Sequence, residues 1–163
     1  MANDGRIVLG GTFDDWNDQP VGRIIRLLAN GDADPAFNTG SGFDDMVHGV
    51  LVQPDGRVVA TGSFASFNGI ARNGIARLNV DGSLDTSFDP GTGLDGAWST
   101  LLHDMDGNVI VAGAFPTVDG QPMSNIARLT TTGELDPNFT IGSGFTRNGY
   151  AIIPAVKDMA VLP

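Results

Sequence analysis

Residues 74–93 read GIARLNVDGSLDTSFDPGTG, and near-copies stand at residues 22–42 (GRIIRLLANGDADPAFNTGSG) and 124–144 (SNIARLTTTGELDPNFTIGSG). Arg6, Arg57 and Asn108 mark the same point in three tandem copies, and the register between them is 51 residues with no gap. A fixed period of this length is the signature of a repeat architecture in which each copy is one supersecondary unit. The copies run 6–56, 57–107 and 108–158 within a single repeat domain covering 1–163, and residues 159–162 continue the register into the first strand of a fourth copy. That extra strand is expected to cap an otherwise bare sheet edge, which is a template for aggregation.

Ten columns are identical in all three copies. They include Gly11/Gly62/Gly113, Phe13/Phe64/Phe115, Ile24/Ile75/Ile126, Arg26/Arg77/Arg128, Leu27/Leu78/Leu129, Gly31/Gly82/Gly133, Asp34/Asp85/Asp136 and Phe37/Phe88/Phe139. Columns Gly40/Gly91/Gly142 and Gly42/Gly93/Gly144 complete the set. The phenylalanines read as the apolar filling of each unit. The glycines read as positions of positive φ or close backbone approach. Each arginine precedes an aspartate by eight residues across a turn, so Arg26–Asp34, Arg77–Asp85 and Arg128–Asp136 are expected to pair within their units, because a guanidinium fork matches a carboxylate.

Inside the second copy, short β-branched or alternating runs are bounded by turn residues. Arg57–Thr61 follows Pro54-Asp55-Gly56, Gly74–Leu78 ends at Val80-Asp81-Gly82, and Ser99–His103 leads into Met105-Asp106-Gly107. Leu84–Phe88 is a weaker strand candidate, and Pro154 marks the third copy's last strand as an edge or a bulge. No segment carries helical spacing. The expected fold is all-β: three tandem propeller-blade-like antiparallel sheet repeats of 51 residues plus a C-terminal extra strand. Three units are few for a self-closed ring, so a compact three-bladed unit, an open stack and a ring completed by another chain all remain.

The string GSFASFNGIARNGIARLNVDGSLDTSFDPGTG at residues 62–93 resembles the delta-sixty repeat. The matching elements are G-x-F after a strand, N-G ahead of the arginine, I-A-R-L, D-G-S-L-D, x-x-F and G-x-G. The third copy keeps GAF, DGQP, NIARL, GELDPNF and GSG; the first keeps GTFDDW and RIIRLL. The resemblance covers almost the whole chain. It implies a β-propeller-like fold and a setting in phage tail and virion proteins or in bacterial surface proteins.

The chain carries a formal charge of −10, which opposes binding to phosphate backbones, so no nucleic-acid partner is expected. Cysteine is absent, which removes disulfides and thiolate metal sites. The opening MANDGRIVLGGTF has neither a basic leader nor a long apolar run, and no stretch approaches a membrane span, so synthesis in a cytoplasm without membrane insertion is expected. His48 and His103 fall in different columns. Asp104-Met105-Asp106-Gly107-Asn108 alternates carboxylates as calcium loops do, yet lacks a distal bidentate glutamate and coincides with a hairpin turn. No nucleophile elbow, phosphate loop or nucleotide fingerprint is present. No catalytic residue, cofactor or metal is expected, with calcium at that loop as the alternative.

The copies differ most at residues 14–22 (DDWNDQPVG), 65–73 (ASFNGIARN) and 116–124 (PTVDGQPMS). Trp16, Phe67 and Val118 share a column there and read either as an inward staple or as a contact surface; Trp98 and Tyr150 are further candidate contacts. The expected function is that of a noncatalytic structural or adhesive protein of a bacteriophage particle, a tail-fibre component or capsid decoration protein. Its expected partners are identical copies or other virion proteins, with a host-surface glycan or protein also open. The alternatives are a glycan- or protein-binding module of a bacterial surface protein, placed at the cell surface or secreted, and, remotely, a propeller hydrolase.

Overall fold

The computed structural model describes residues 4–96, 98–123, 125–142, 156, 159 and 160. Among these there is no helix, and every strand pairing is antiparallel. In chain order the first strands are β1 (Ile7–Gly10), β2 (Asp15–Trp16), β3 (Gln19–Pro20), β4 (Ile24–Leu27) and β5 (Val47–Val52). There follow β6 (Val58–Gly62), β7 (Ser66–Phe67), β8 (Ile70–Ala71), β9 (Ile75–Leu78) and β10 (Leu94–Asp95). The last are β11 (Trp98–His103), β12 (Val109–Ala114), β13 (Thr117–Val118), β14 (Gln121–Pro122) and β15 (Ile126–Leu129).

Turn chemistry sets the strand ends. At Pro54-Asp55-Gly56 the Asp55 carboxylate accepts the Arg57 N–H at 3.0 Å, Gly56 takes φ 85°, and the Gln53 N–H closes the hairpin on the Arg57 carbonyl at 2.8 Å. The chain therefore reverses between β5 and β6. Among the described residues three main sheets result, ordered β1-β4, β5-β6-β9 and β11-β12-β15, beside three small ones, β2-β3, β7-β8 and β10-β13-β14. Their registers repeat with the sequence: Ile7 faces Leu27, Val58 faces Leu78, and Val109 faces Leu129. Between the last two ladder strands of each unit runs a two-residue hairpin, β2-β3, β7-β8 or β13-β14. Sheets and sequence copies are out of phase, because residue 56 lies in a hairpin turn. The strand that ends one copy opens the next sheet.

The expected strand Leu84–Phe88 is not formed. Leu84 makes a single bridge to Leu78, as Ala33 does to Leu27 and Leu135 to Leu129. The reason is local: Asp85 folds the following residues into a turn, its carboxylate accepting the Ser87 N–H at 3.0 Å and the Ser87 hydroxyl at 2.6 Å. Of the expected capping strand, residues 159 and 160 lie outside the strands named above; residues 161 and 162, and Pro154, lie outside the described residues.

Alternation along β6 explains how the sheets stack. Val58 and Ala60 point to one side and Val59 to the other, and all three are buried. The first core lies between sheets one and two. It takes Ile24, Phe37 and Phe43 from one side and Val58, Ala60, Phe64, Phe67, Ala76 and Leu78 from the other. The second core repeats those columns with Ile75, Phe88, Leu94, Val109, Val111, Phe115, Val118, Ala127 and Leu129. The apolar filling is thus shared between neighbouring sheets, and the middle sheet is covered on both faces.

This packing ranks the phenylalanine column. Phe88 is fully buried and Phe37 nearly so, whereas Phe139 is half-exposed. Phe88→Ala is expected to cost about 3–5 kcal/mol of unfolding free energy. Phe139→Ala is expected to cost well under half as much, as read by urea titration of the two variants against the parent. Equal losses would contradict the shared-core arrangement.

Candidate functional site

The seams between sheets hold the charged groups common to the three copies. Arg26 sits in β4, nine-tenths buried, with its guanidinium 4.6 Å from the Phe37 ring centre. Its Nε donates to Asp34 Oδ2 at 2.8 Å, and its Nη1 crosses the seam to donate to the Val80 carbonyl at 2.7 Å. Arg77 repeats the set. It lies 4.6 Å from the Phe88 ring, donates to Asp85 Oδ2 at 2.7 Å, and crosses to the Thr131 carbonyl at 2.8 Å. Arg128 keeps the local half, bonding Asp136 at 2.8 Å and covering Phe139 at 5.1 Å, and its Nη1 lies 3.7 Å from Asp104. The three expected pairs are therefore present. The carbonyl reached across each seam is a backbone atom, which no side-chain pattern reveals.

At one rim each seam opens into a cleft. The first, of about 310 Å³, is lined by Asp4, Arg6, Arg26, Gln53 and Val80 among others. The second, of about 380 Å³, is lined by Asp55, Arg57, Arg77, Asp104 and Thr131. Arg6 and Arg57 place a second guanidinium 3.4 and 3.5 Å from Asp34 and Asp85. Sequence reading missed this role, although the column Arg6/Arg57/Asn108 carried the signal. The Ala36 N–H, and then Arg26, hold the Asp34 carboxyl below its ordinary pKa against the cost of burial. Burial pushes Asp85 up, but Ser87 and Arg77 outweigh it and leave its pKa lowered. Carboxylates fixed as anions by arginine make poor proton donors near neutrality. The geometry is suited to setting the spacing of two sheets.

Phe67 and Val118 are fully buried and pack inward in the two cores, while Trp16, third in that column, is half-buried on the first sheet. For Phe67 and Val118 the structure shows the staple and not a contact surface. Trp98 opens β11, and its side chain, like all of Tyr150, lies outside the described residues. His48 Nε2 is 3.0 Å from Ser63 Oγ, and His103 Nδ1 is 3.1 Å from the Asp104 carbonyl. The Asp104 carboxylate is occupied by its own loop, accepting the Asp106 N–H and the Asn108 N–H and side-chain amide at 2.9–3.0 Å. Among the described residues no group of three or more His, Asp or Glu side chains is placed to hold a metal. No helix among them is long and apolar enough to cross a membrane.

Removing one partner from a buried ion pair leaves the other charge stranded. Asp85→Asn is expected to destabilise the chain by about 3–5 kcal/mol at pH 7. Because the folded-state pKa of Asp85 is lowered, its contribution is present above the ordinary carboxylate value of about 3.9 and is lost as pH falls through the folded value. The gap between parent and variant should therefore stay constant from about pH 7 to 5 and close below about pH 4. Urea titrations across that range check this, and a gap that persists in strong acid would refute it.

No match to the chain was found among curated proteins or among solved structures. One family model matches residues 2–37, 53–88 and 106–139, and each matched segment spans an arginine–aspartate–phenylalanine set. Those three segments cover well over half of the sequence, and the chain belongs to the β-propeller domain family of unknown function DUF5122.

Proposed function

We propose that the chain is a noncatalytic scaffold of a bacteriophage particle, a tail-fibre component or a capsid decoration protein, acting through protein–protein contacts. The observation that carries the noncatalytic reading is the fate of the repeated charged groups. Each Arg–Asp pair is engaged by its own unit, and two of the three reach into the neighbouring sheet. In the seams Arg26 and Arg77 are committed to aspartates and carbonyls, and their partners Asp34 and Asp85 are held as anions. His103 also lines the second cleft, and its Nδ1 lies 3.1 Å from the Asp104 backbone carbonyl.

The particle setting is supported by the delta-sixty resemblance of residues 62–93, and by an acidic composition suited to life at high local concentration without adhesion to nucleic acid. In this reading the protein is made in the host cytoplasm and resides in the virion.

Purified particles from the encoding genome, digested and analysed by mass spectrometry, should yield peptides of this chain at a stoichiometry comparable with other structural proteins. Its absence from washed particles would overturn the proposal.

A further inference from the structure

The two seams are built from one set of contacts, and each outer sheet displays one half of it. On the side facing the next sheet, Val59, Ile75, Arg77 and Phe88 of the middle sheet are buried. The same columns in the third sheet, Ile110, Ile126, Arg128 and Phe139, are all half-exposed. On the side facing the preceding sheet, Val58, Phe64 and Phe67, and then Val109, Phe115 and Val118, are at most 1% exposed. Their first-sheet equivalents are less covered: Ile7 is 53% exposed, and Phe13 and Trp16 are half-buried.

The backbone repeats the message. Gly82 sits so close to the first unit that a Cβ on it would meet the Asn38 nitrogen at 2.8 Å; Gly133 lies on the Asp89 nitrogen at 2.7 Å. Gly31, the third member of that column, has nothing within 4 Å. Gly40 lies against the Asn68 side chain and Gly91 against that of Asp119, while Gly142 again has nothing within 4 Å. The missing neighbour of Gly142 belongs to the column of Asn17. That residue already holds φ 52°, beside 50° for Asn68 and 48° for Asp119. The polar groups follow suit. Across the seams Arg26 and Arg77 donate to the Val80 and Thr131 carbonyls, and the Asn38 and Asp89 N–H groups donate to the Asp81 and Thr132 carbonyls. The column equivalents are Arg128 and the Thr140 N–H on the third sheet and the carbonyls of Ala29 and Asn30 on the first.

We propose that two copies of this chain associate head to tail, the first sheet of each seated on the third sheet of the other, and that the two junctions close a six-sheet ring. In each junction Arg128 donates to Ala29 of the second copy, Thr140 to Asn30, and Asn17 packs on Gly142. Contacts between two different faces either close into a ring or run on as a filament. Closed propellers hold about 4–8 sheets, and with three sheets per chain two copies are the number that falls in that range. The partner is specified by these two faces themselves, which match each other in apolar content and hydrogen-bonding sense as the two halves of each seam do. The inference stands independently of the particle setting proposed above.

Light scattering coupled to size exclusion at micromolar concentration should give twice the chain mass of 17.0 kDa. A monomer or an open-ended polymer would overturn the proposal. Leu9→Glu spoils the open face of the first sheet and Ile110→Glu that of the third; both positions are only half-buried, so the monomer fold should survive and can be checked by circular dichroism. Each variant alone should elute as a monomer. An equimolar mixture should recover dimer, because the intact first sheet of one variant meets the intact third sheet of the other. A folded variant that remains dimeric, or a mixture that remains monomeric, would show that these two faces do not meet.

Discussion

The guanidinium of Arg77 is the constraint around which the rest of the molecule is arranged. It has to satisfy an aspartate eight residues on, lie over Phe88 and reach a carbonyl in the following sheet at 2.8 Å, all while nearly buried. A planar, always-charged fork with donors in fixed directions can meet these demands together; the point charge of a lysine cannot. Burying such a charge is costly, and an ion pair in a low-dielectric seam is a weak source of net stability. Its effect is better understood as geometric. Only one spacing and one offset of adjacent sheets put Nη1 on the carbonyl, so the pair selects the stacking that the apolar core would tolerate more loosely.

That core supplies the driving force. In the middle sheet successive residues of β6 and β9 feed two different cores, so neither face is left for water, and the usual apolar–polar alternation gives way to continuous burial. A sheet of this kind cannot stand alone. Its stability is a sum over nearest neighbours, as in other repeat arrays, and among the described residues the first and third sheets each share one core with the middle sheet. The graded burial of the arginine column follows directly. Arg26 and Arg77 have side chains 6% and 4% exposed with a sheet beyond them, and Arg128, in the third sheet, is 28% exposed.

Much of this was legible in the amino-acid order. The period, the three arginine–aspartate pairs and the phenylalanine filling follow from identical columns, because seams that recur must use the same side chains. Less was legible where a neighbour decides. The Trp16/Phe67/Val118 column reads first as a staple but also as a surface, since its burial depends on whether a preceding sheet is present. Leu84–Phe88 has strand composition, but Asp85 and Ser87 divert it into a turn through bonds that propensity does not weigh. The offset between sequence copy and sheet was hidden too, because any point of a repeat can serve as its start and only the pairing of β5 with β6 fixes the physical boundary.

Identity and variation between the copies are divided between seam and rim. Seam positions are constrained twice, by their own unit and by the next, and that is where the invariant columns lie. The tips of the short hairpins are constrained once. In the second and third of them the turn is held by an Asn or Asp whose backbone N–H and side chain grip the preceding loop, as Asn68 does at Gly42 and Asp119 at Gly93 and Thr92. The residues just beyond are exposed and are of two kinds: Gln19-Pro20 and Gln121-Pro122 share one dipeptide, and Ile70-Ala71 differs. The rim therefore tolerates a change of tip, Gln-Pro to Ile-Ala, that leaves the arginine geometry fixing the stack undisturbed.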